Sequence, residues 1–428
     1  MKKTVLLVVT LDTKGAEAGY LREVLGRLGV RTLLMDSGVF PSPQGEGDIP
    51  RARVAEAGGR TIGQVAGSDR KGDAIGTMIR GAAALARSLY ERGEIHGVLS
   101  IGGAQGTIIG TAVMRGLPVG VPKVMLSTMA SGNRPFGPCV GTSDITLMHS
   151  VVDFFGLNPI LRQVLSNAAG AVAGMLRAGV VRPGRKPRVA ITIYGTTTPA
   201  GMRIVSLLSA RGYEVVAFHP NGVGGEAMEG MIRQGTFEGV VDLTLHELTD
   251  EAAGGDHAAA PGRLRAAAEK GIPQVVVPGS TDYIVTGPFD RLKRPFRGRR
   301  TMAHNPEMTF VQPSVREMRR VGRTVGERLG GSGGRSSVLV PLKGFSHPNH
   351  EGRPLHNPSG VRAFVNGLRE TVEAAIPVRL LPLHVNDPAF SDAVVEEFER
   401  LMAGNREPHS EIKCKGRKTK CSKGRSST

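Results

Sequence analysis

Along the chain, short runs of β-branched and leucine residues alternate with longer segments whose apolar positions recur at helical spacing. That alternation predicts parallel sheets crossed by helices. In the first half, strands are predicted at residues 4–10, 31–36, 97–101 and 123–127, and helices at 16–28, 72–92 and 107–115. A Gly/Pro-rich excursion separates the second strand from the helix at 72. Runs that stay apolar along their whole length predict sheets covered on both faces. The segment 182–188, Arg-Pro-Gly-Arg-Lys-Pro-Arg, combines helix breakers with charge and marks a domain boundary. The alternation then restarts, with strands at 189–194, 214–218, 239–243, 274–277, 337–341 and 378–381 and helices from Pro199, near 225–234, and at 307–329 and 360–375. The fold class read from this is α/β: two doubly wound domains in tandem with mainly parallel sheets, residues 1–182 and 183–404, followed by a tail at 405–428.

In open α/β sheets, ligands gather beyond the carboxyl ends of the strands. After the first strand, Asp12, Thr13 and Lys14 bring a carboxylate, a hydroxyl and an ammonium to a helix start, where N–H groups attract anions. Capping by Asp12 or Thr13 would account for the same residues. The third strand runs into Gly102, Gly103, Ala104, Gln105, Gly106 and Thr107. Three residues without Cβ let backbone N–H groups close around a phosphate, and Thr107 adds a hydroxyl. Neither familiar nucleotide motif is met. Gly106 is followed by Thr107 with no lysine, and the strand at 123–127 ends in Ser127 and Thr128 where a dinucleotide site needs an acid. A nicotinamide cofactor is therefore not expected. Ser127, Ser131 and Gly132 extend the same edge toward a phosphate or ribose pocket.

In the second half, Gly195, Thr196, Thr197 and Thr198 repeat the arrangement, with Thr198 expected to cap a helix whose first position is Pro199. Asp282, in Pro-Gly-Ser-Thr-Asp, is a candidate carboxylate on the metal or substrate side. His304, His347, His350 and His356 lie on predicted loops at spacings that match no standard metal signature, so no metal site is predicted.

With 40% hydrophobic and 22% charged residues and 59 glycines among 428, the composition excludes wholesale disorder and collagen-like repetition. Trp is absent and aromatics make 4%, which leaves little for a base-stacking platform. The net charge of +17 raises nucleic acid as a partner, but the last 24 residues alone carry eight Lys/Arg against two Glu. Residues 291–300 hold six cations, no acid and one aromatic, Phe296, a composition expected of a loop or lid reaching a phosphorylated ligand. Nucleic-acid binding through that loop and the tail is the alternative. The tail has one isoleucine as its large aliphatic residue and is predicted to be unstructured. Two of the three cysteines, Cys414 and Cys421, lie in it, so no disulfide framework is expected, and a cytoplasmic setting follows.

Seven motifs then occur in order: Leu11-Asp-Thr-Lys-Gly15, Gly102-Gly-Ala-Gln-Gly-Thr107, Met125-Leu-Ser-Thr-Met-Ala-Ser-Gly132, Gly195-Thr-Thr-Thr-Pro199, Pro278-Gly-Ser-Thr-Asp282, His304-Asn-Pro306 and Pro341-Leu-Lys-Gly-Phe-Ser346. Over residues 3–402 the chain resembles the Tm-one-like ATP-binding family, an uncharacterised family named for the N-terminal domain of the tomato mosaic virus resistance protein. The resemblance implies two Rossmann-like domains, ATP binding, self-association as a homo-oligomer, and a TIM-barrel protein as a partner in small-molecule catabolism. Lys14 would then neutralise phosphate charge, and Asp12 or Asp282 would hold Mg2+ or orient an attacking group. The family tends to carry Asp where this chain has Asn349 and Asn357. The expectation is an ATP-binding protein acting on a small anionic metabolite. The alternative is a regulatory or interaction module in which ATP controls domain closure.

Overall fold

The structure is a computed structural model that describes residues 2–40, 45–68, 70–131, 137–179 and 184–406. The candidate binding residue Gly132, residues 182 and 183 of the expected boundary segment, and all but the first two residues of the expected tail lie outside the described residues. The chain divides into two compact units, Met1–Arg185 and Lys186–Thr428.

The first unit is built on five parallel strands, β1 (Thr4–Val9), β2 (Arg31–Asp36), β3 (Gly97–Gly102), β4 (Lys123–Ser127) and β5 (Thr146–His149), in the order β2-β1-β3-β4-β5. Strand β1 is apolar from Val5 to Val9 because both its faces are covered. Val5, Leu7 and Val9 share one core with Leu21 and Leu25 of the helix Gly15–Arg27 and Leu165 and Val172 of the helix Pro159–Ala178. Leu6 and Val8 face the other core, with Met78 of the helix Lys71–Glu91 and Ile109 and Val113 of the helix Ala104–Arg115. The chain leaves β1 for β2 on one side and enters β3 on the other, so the strand order reverses between β1 and β3 and a crevice forms at their carboxyl ends. Strand β5 and the helix Pro159–Ala178 were not expected from the sequence. That helix is started by Asn158, whose side chain accepts from the Leu161 N–H, and by a proline in its first turn.

The second unit carries a six-stranded parallel sheet of β6 (Arg188–Thr192), β7 (Glu214–Phe218), β8 (Gly239–Thr244), β9 (Gln274–Gly279), β13 (Ser336–Pro341) and β14 (Val378–Leu381), ordered β14-β13-β9-β8-β6-β7. Between β9 and β13 the chain makes a separate antiparallel sheet of β10 (Ile284–Thr286), β11 (Thr301–Asn305) and β12 (Met308–Val311). The helix expected from residue 307 is corrected by this. Residues 308–311 form β12, and the helix runs Val315–Leu329, started where Ser314 and Glu317 form a reciprocal capping box. One face of the large sheet packs on the helices Thr198–Ala210 and Pro388–Arg406 through Ile204, Leu208, Phe390, Val394 and Phe398. The other packs on Val315–Leu329 and Pro358–Thr371 through Val321, Val325 and Phe364. Here the order reverses between β6 and β8, which places a second crevice beyond their ends. The expected architecture of two Rossmann-like, mainly parallel α/β domains is borne out. Among the described residues no helix is long and apolar enough to cross a membrane.

Candidate functional site

At the β1/β3 crevice, a cavity of about 210 Å3 is lined by Thr10, Asp12, Thr13, Lys14, Phe40 and residues 103–106. Two helices point their amino ends at it, Gly15–Arg27 and Ala104–Arg115. Their N-cap residues are Lys14 and Gly103, and neither makes a side-chain capping bond. Among the described residues, the leading N–H groups of both helices are left to solvent or a ligand. Lys14 is half-buried, with Nζ 3.2 Å from Thr13 Oγ1. A larger cavity of about 390 Å3, lined by Tyr90, Ile95, Val119, Pro122 and Met175 among others, opens near the amino ends of the same strands, where open α/β sheets do not place ligands.

The expected site residues divide by what they touch. Asp12 is buried, and its Oδ2 accepts from the Val39 and Phe40 amides, both at 2.9 Å. It therefore anchors the loop after β2 while lining the cavity. The neighbouring carboxyl of Asp36 accepts from the Leu11 and Gly38 amides, and burial pushes it above the usual carboxylate range. The glycines are not equivalent. A Cβ on Gly102 would stand 2.7 Å from the Gly106 Cα, and one on Gly106 would stand 3.0 Å from the Ile101 carbonyl oxygen, so these two let the helix press against β3. A Cβ on Gly103 would meet only Thr128 Oγ1, at 3.7 Å. Gln105 is half-buried at the rim. Thr107 and Ser127 are buried and bonded to one another at 2.6 Å. Thr107 also donates to the Gly103 carbonyl, and Ser127 accepts from the Met129 amide. Those two hydroxyls tie the helix start to β4. Ser131 is half-buried.

In the second unit the threonine run turns inward. Gly195–Thr197 is a 3-10 turn, and the helix begins at Thr198 with Thr197 at its cap position and Pro199 second, one residue earlier than expected. Thr196 Oγ1 lies 2.7 Å from Ser280 Oγ and 2.8 Å from the Tyr283 hydroxyl, Thr197 Oγ1 lies 2.8 Å from Thr244 Oγ1, and Thr198 donates to the Tyr194 carbonyl. All three hydroxyls have partners within the protein.

These contacts surround a group absent from the sequence reading. His246 and Asp250 stand one turn apart on the helix His246–Ala253, with Nε2 3.3 Å from Oδ2, and the chain folds back to bring His257 beside them. His246 is fully buried and its Nδ1 donates to the Ser280 carbonyl at 3.0 Å. Burial opposes its charge, but Asp250, the Ser280 carbonyl and Glu247 together outweigh that and hold its pKa above the ordinary value. Burial lowers the pKa of His257, whose Nδ1 meets the Tyr194 hydroxyl at 2.9 Å. Tyr194 is raised, by burial first and then by Asp250 and Glu247. Its ring stacks on His219 and His246, and Tyr283 covers the other side of His246. The i,i+4 pair followed by Gly-Gly-Asp-His was the signal available in the sequence.

Beside this group, the buried Arg263 guanidinium meets Asp242 through two bonds of 2.6 Å, Glu247 at 2.7 Å and Glu229 at 3.3 Å. Glu247 in turn accepts from the Gly222 and Gly225 amides, so the network shapes the loop after β7. Asp282 is 1% exposed and its Oδ2 accepts from the Phe345 amide and from Asn349 Nδ2 at 2.6 Å. It joins the loops after β9 and β13. Burial raises its pKa, against the pull of Ser346, Asn349 and the Phe345 amide. Asn349 Oδ1 accepts from the Asn357 amide, and Asn357 caps the helix Pro358–Thr371. The basic segment 291–300 is partly spent locally. Phe296 is buried, Lys293 pairs with Asp256 at 2.6 Å, and Arg299 pairs with Glu317 at 2.8 Å. Among the loop histidines, His304 stacks on Phe310, and His350 lies edge-on to His384.

The family model described as the uncharacterised protein family UPF0261 N-terminal domain matches residues 3–180, and the model of its C-terminal domain matches 186–402. A UPF0261 protein of Clostridium tetani is 36% identical over 94% of this chain and 100% of its own length, and one of Rhizobium meliloti is 37% identical over 93% and 99%. The tomato protein named ToMV resistance protein Tm-1(GCR237) is 33% identical over 82% of this chain, which matches 47% of that longer protein. Among solved structures, a UDP-N-acetylglucosamine 2-epimerase aligns over 95% of this chain and 98% of its own at 11% identity and a TM-score of 0.23. MurG of Acinetobacter baumannii aligns over 93% and 99% at 10% identity and a TM-score of 0.22.

Proposed function

The chain belongs to the uncharacterised protein family UPF0261 over both of its domains, and from that premise we propose that its first unit binds a nucleoside triphosphate, ATP with Mg2+, at the β1/β3 crevice. The observation that carries the reading is the pairing of two helix amino ends, neither capped by a side chain, on one cavity that also receives Lys14. Helix termini and an ammonium together favour a polyanion. A volume of about 210 Å3 suits a phosphate chain, with the base and ribose extending outward. Asp12 fits a Mg2+ role, because its Oδ2 is held by two backbone amides while among the described residues its Oδ1 has only the Thr13 hydroxyl, at 3.3 Å, and a carboxylate oxygen beside the phosphates is where Mg2+ is bound. In this reading Gly103 lets phosphate oxygens approach the backbone, and Lys14 offsets their charge.

The test is the thermal stabilisation of the full chain by ATP-Mg. Ligand at 100 times its dissociation constant adds about 2.7 kcal/mol. Gly103→Asp introduces a carboxylate at the one glycine of the loop with room for a side chain, and Lys14→Met removes the ammonium. Both variants are expected to melt like the wild type without ligand and to lose most of the ATP shift. A full shift in both would refute the site, and a wild type that ATP-Mg leaves unshifted would refute the ligand.

A further inference from the structure

We propose that His246, Asp250 and His257 form a binding site for a divalent transition-metal ion of the Zn2+ class in the second unit, at the carboxyl edge of its parallel sheet. One ligand atom from each residue lies within 4.8 Å of the others. In a tetrahedral site with bonds of about 2.0–2.1 Å, ligand atoms stand about 3.3–3.5 Å apart. The His246 Nε2 to Asp250 Oδ2 separation of 3.3 Å already has that value, and a small closing movement of His257 completes the set.

Three features prepare these groups as ligands. First, the Nδ1–H of His246 is committed to the Ser280 carbonyl, which turns the other ring nitrogen toward Asp250. A backbone carbonyl on the far nitrogen is the usual outer partner of a metal-bound imidazole. Second, His246 Nε2 is buried and, despite its closeness to Asp250, has no hydrogen-bond partner of acceptable geometry among the described residues. A buried nitrogen left in that condition is costly unless something else meets it. Third, Asp250 is held at both oxygens, Oδ1 by the Val285 amide at 3.0 Å and Oδ2 by the His257 amide at 2.9 Å. The chain closes over that carboxylate through Gly254, at φ +79°, and Gly255, where a Cβ would collide with the Asp250 side chain.

Two imidazoles and one carboxylate make a borderline donor set suited to Zn2+, Co2+ or Fe2+ and not to Mg2+ or Ca2+. Three protein ligands leave one position open, the arrangement of reactive rather than purely structural zinc sites. Access runs past His257, which is half-buried, and the exposed His219. Tyr194, 2.9 Å from His257 Nδ1, orients that ring from outside. The proposal rests on residues of the second unit alone and does not depend on the triphosphate reading.

The experiment is titration of the full chain, stripped with chelator, with Co2+ and Zn2+. Metal content is followed by elemental analysis and ligand identity by the visible absorption of Co2+. The expected result is one equivalent bound, a Co2+ ligand-field spectrum without thiolate charge transfer, and the same stoichiometry in a Cys414→Ser, Cys421→Ser double variant. His257→Ala changes only a half-buried side chain and is expected to keep the fold while weakening Co2+ binding by at least the ~10–100-fold typical of losing an outer partner. Asp250→Asn should do the same. If Asp250→Asn fails to fold, His257→Ala and the wild-type spectrum still decide. Absence of stoichiometric binding, a thiolate spectrum, or undiminished affinity in a folded His257→Ala protein would overturn the site and leave an ordinary His–Asp ion pair.

Discussion

Replacing Arg263 with Met tests whether the second unit is organised around one buried cation. In the native protein that guanidinium is 1% exposed and faces Asp242, Glu247 and Glu229 at 2.6–3.3 Å. Met is of similar length, so the change removes charge and hydrogen bonds more than volume. Breaking a buried ion pair by deleting one partner costs about 3–5 kcal/mol, because the remaining charge stays out of water. Here three carboxylates lose a shared partner, which puts the expected loss at the upper end. For a domain of roughly 150–250 residues, each kcal/mol lowers the melting temperature by about 2–4 °C. A fall of about 10 °C or more is therefore expected in the transition of the second unit, read by scanning calorimetry on the full chain. Glu247→Gln should cost less than Arg263→Met, since it lowers the uncompensated negative charge instead of raising it, although it weakens the hold on the Gly222 and Gly225 amides. A fall of under about 2 °C in Arg263→Met, or the reverse ordering of the two variants, would show that the carboxylates are compensated elsewhere.

Three further outcomes are expected. Gly102→Ala forces a Cβ against the Gly106 backbone and should lose about 1–3 kcal/mol in urea unfolding, whereas Gly103→Ala should change stability little; equal losses would refute the division of roles between them. Burial would raise the pKa of Asp144, but the 2.6 Å bond and charge of the buried Lys123 together with the Gly120 amide outweigh that and hold it below 3.8, so its stabilisation is present above that pH and lost as pH falls through the folded value. Asp144→Asn should therefore destabilise at neutral pH, with the gap to wild type closing in acid; a gap independent of pH would contradict the pairing. Asn349→Asp would set a second carboxylate against Asp282, whose own pKa burial already raises, so the variant should be less stable at neutral pH and recover as pH falls and a proton is shared; melting temperatures across acid pH check the sign.

Much of the fold was legible in the chain because it is written locally. Strands such as 4–9 and 97–102 are buried along their whole length and dominated by aliphatic residues, the helices between them carry their own spacing, and the glycine loops fall where each strand stops. The same locality drew attention to the β1/β3 crevice through Asp12, Lys14 and Gly103. It could not say which glycine packs and which faces open space, since Gly102, Gly103 and Gly106 differ only in what the completed fold sets against each missing Cβ. Nor could it show that the hydroxyls of Thr107, Ser127 and Thr196–Thr198 would be bonded within the protein, because their partners arrive from other strands. His246, Asp250 and His257 lie within twelve positions of one another, yet their meaning comes from residues far along the chain. Ser280 fixes one imidazole, Tyr194 the other, and Val285 the carboxylate between them. The sequence alone determined most strands and helices of the two parallel sheets and where their glycine and hydroxyl loops fall, but not β5, the small antiparallel sheet or the helix Pro159–Ala178. Tertiary structure decided which polar groups at the loops are spent holding the fold and which are left to meet a ligand, because burial and hydrogen-bond partners exist only once distant segments are packed together.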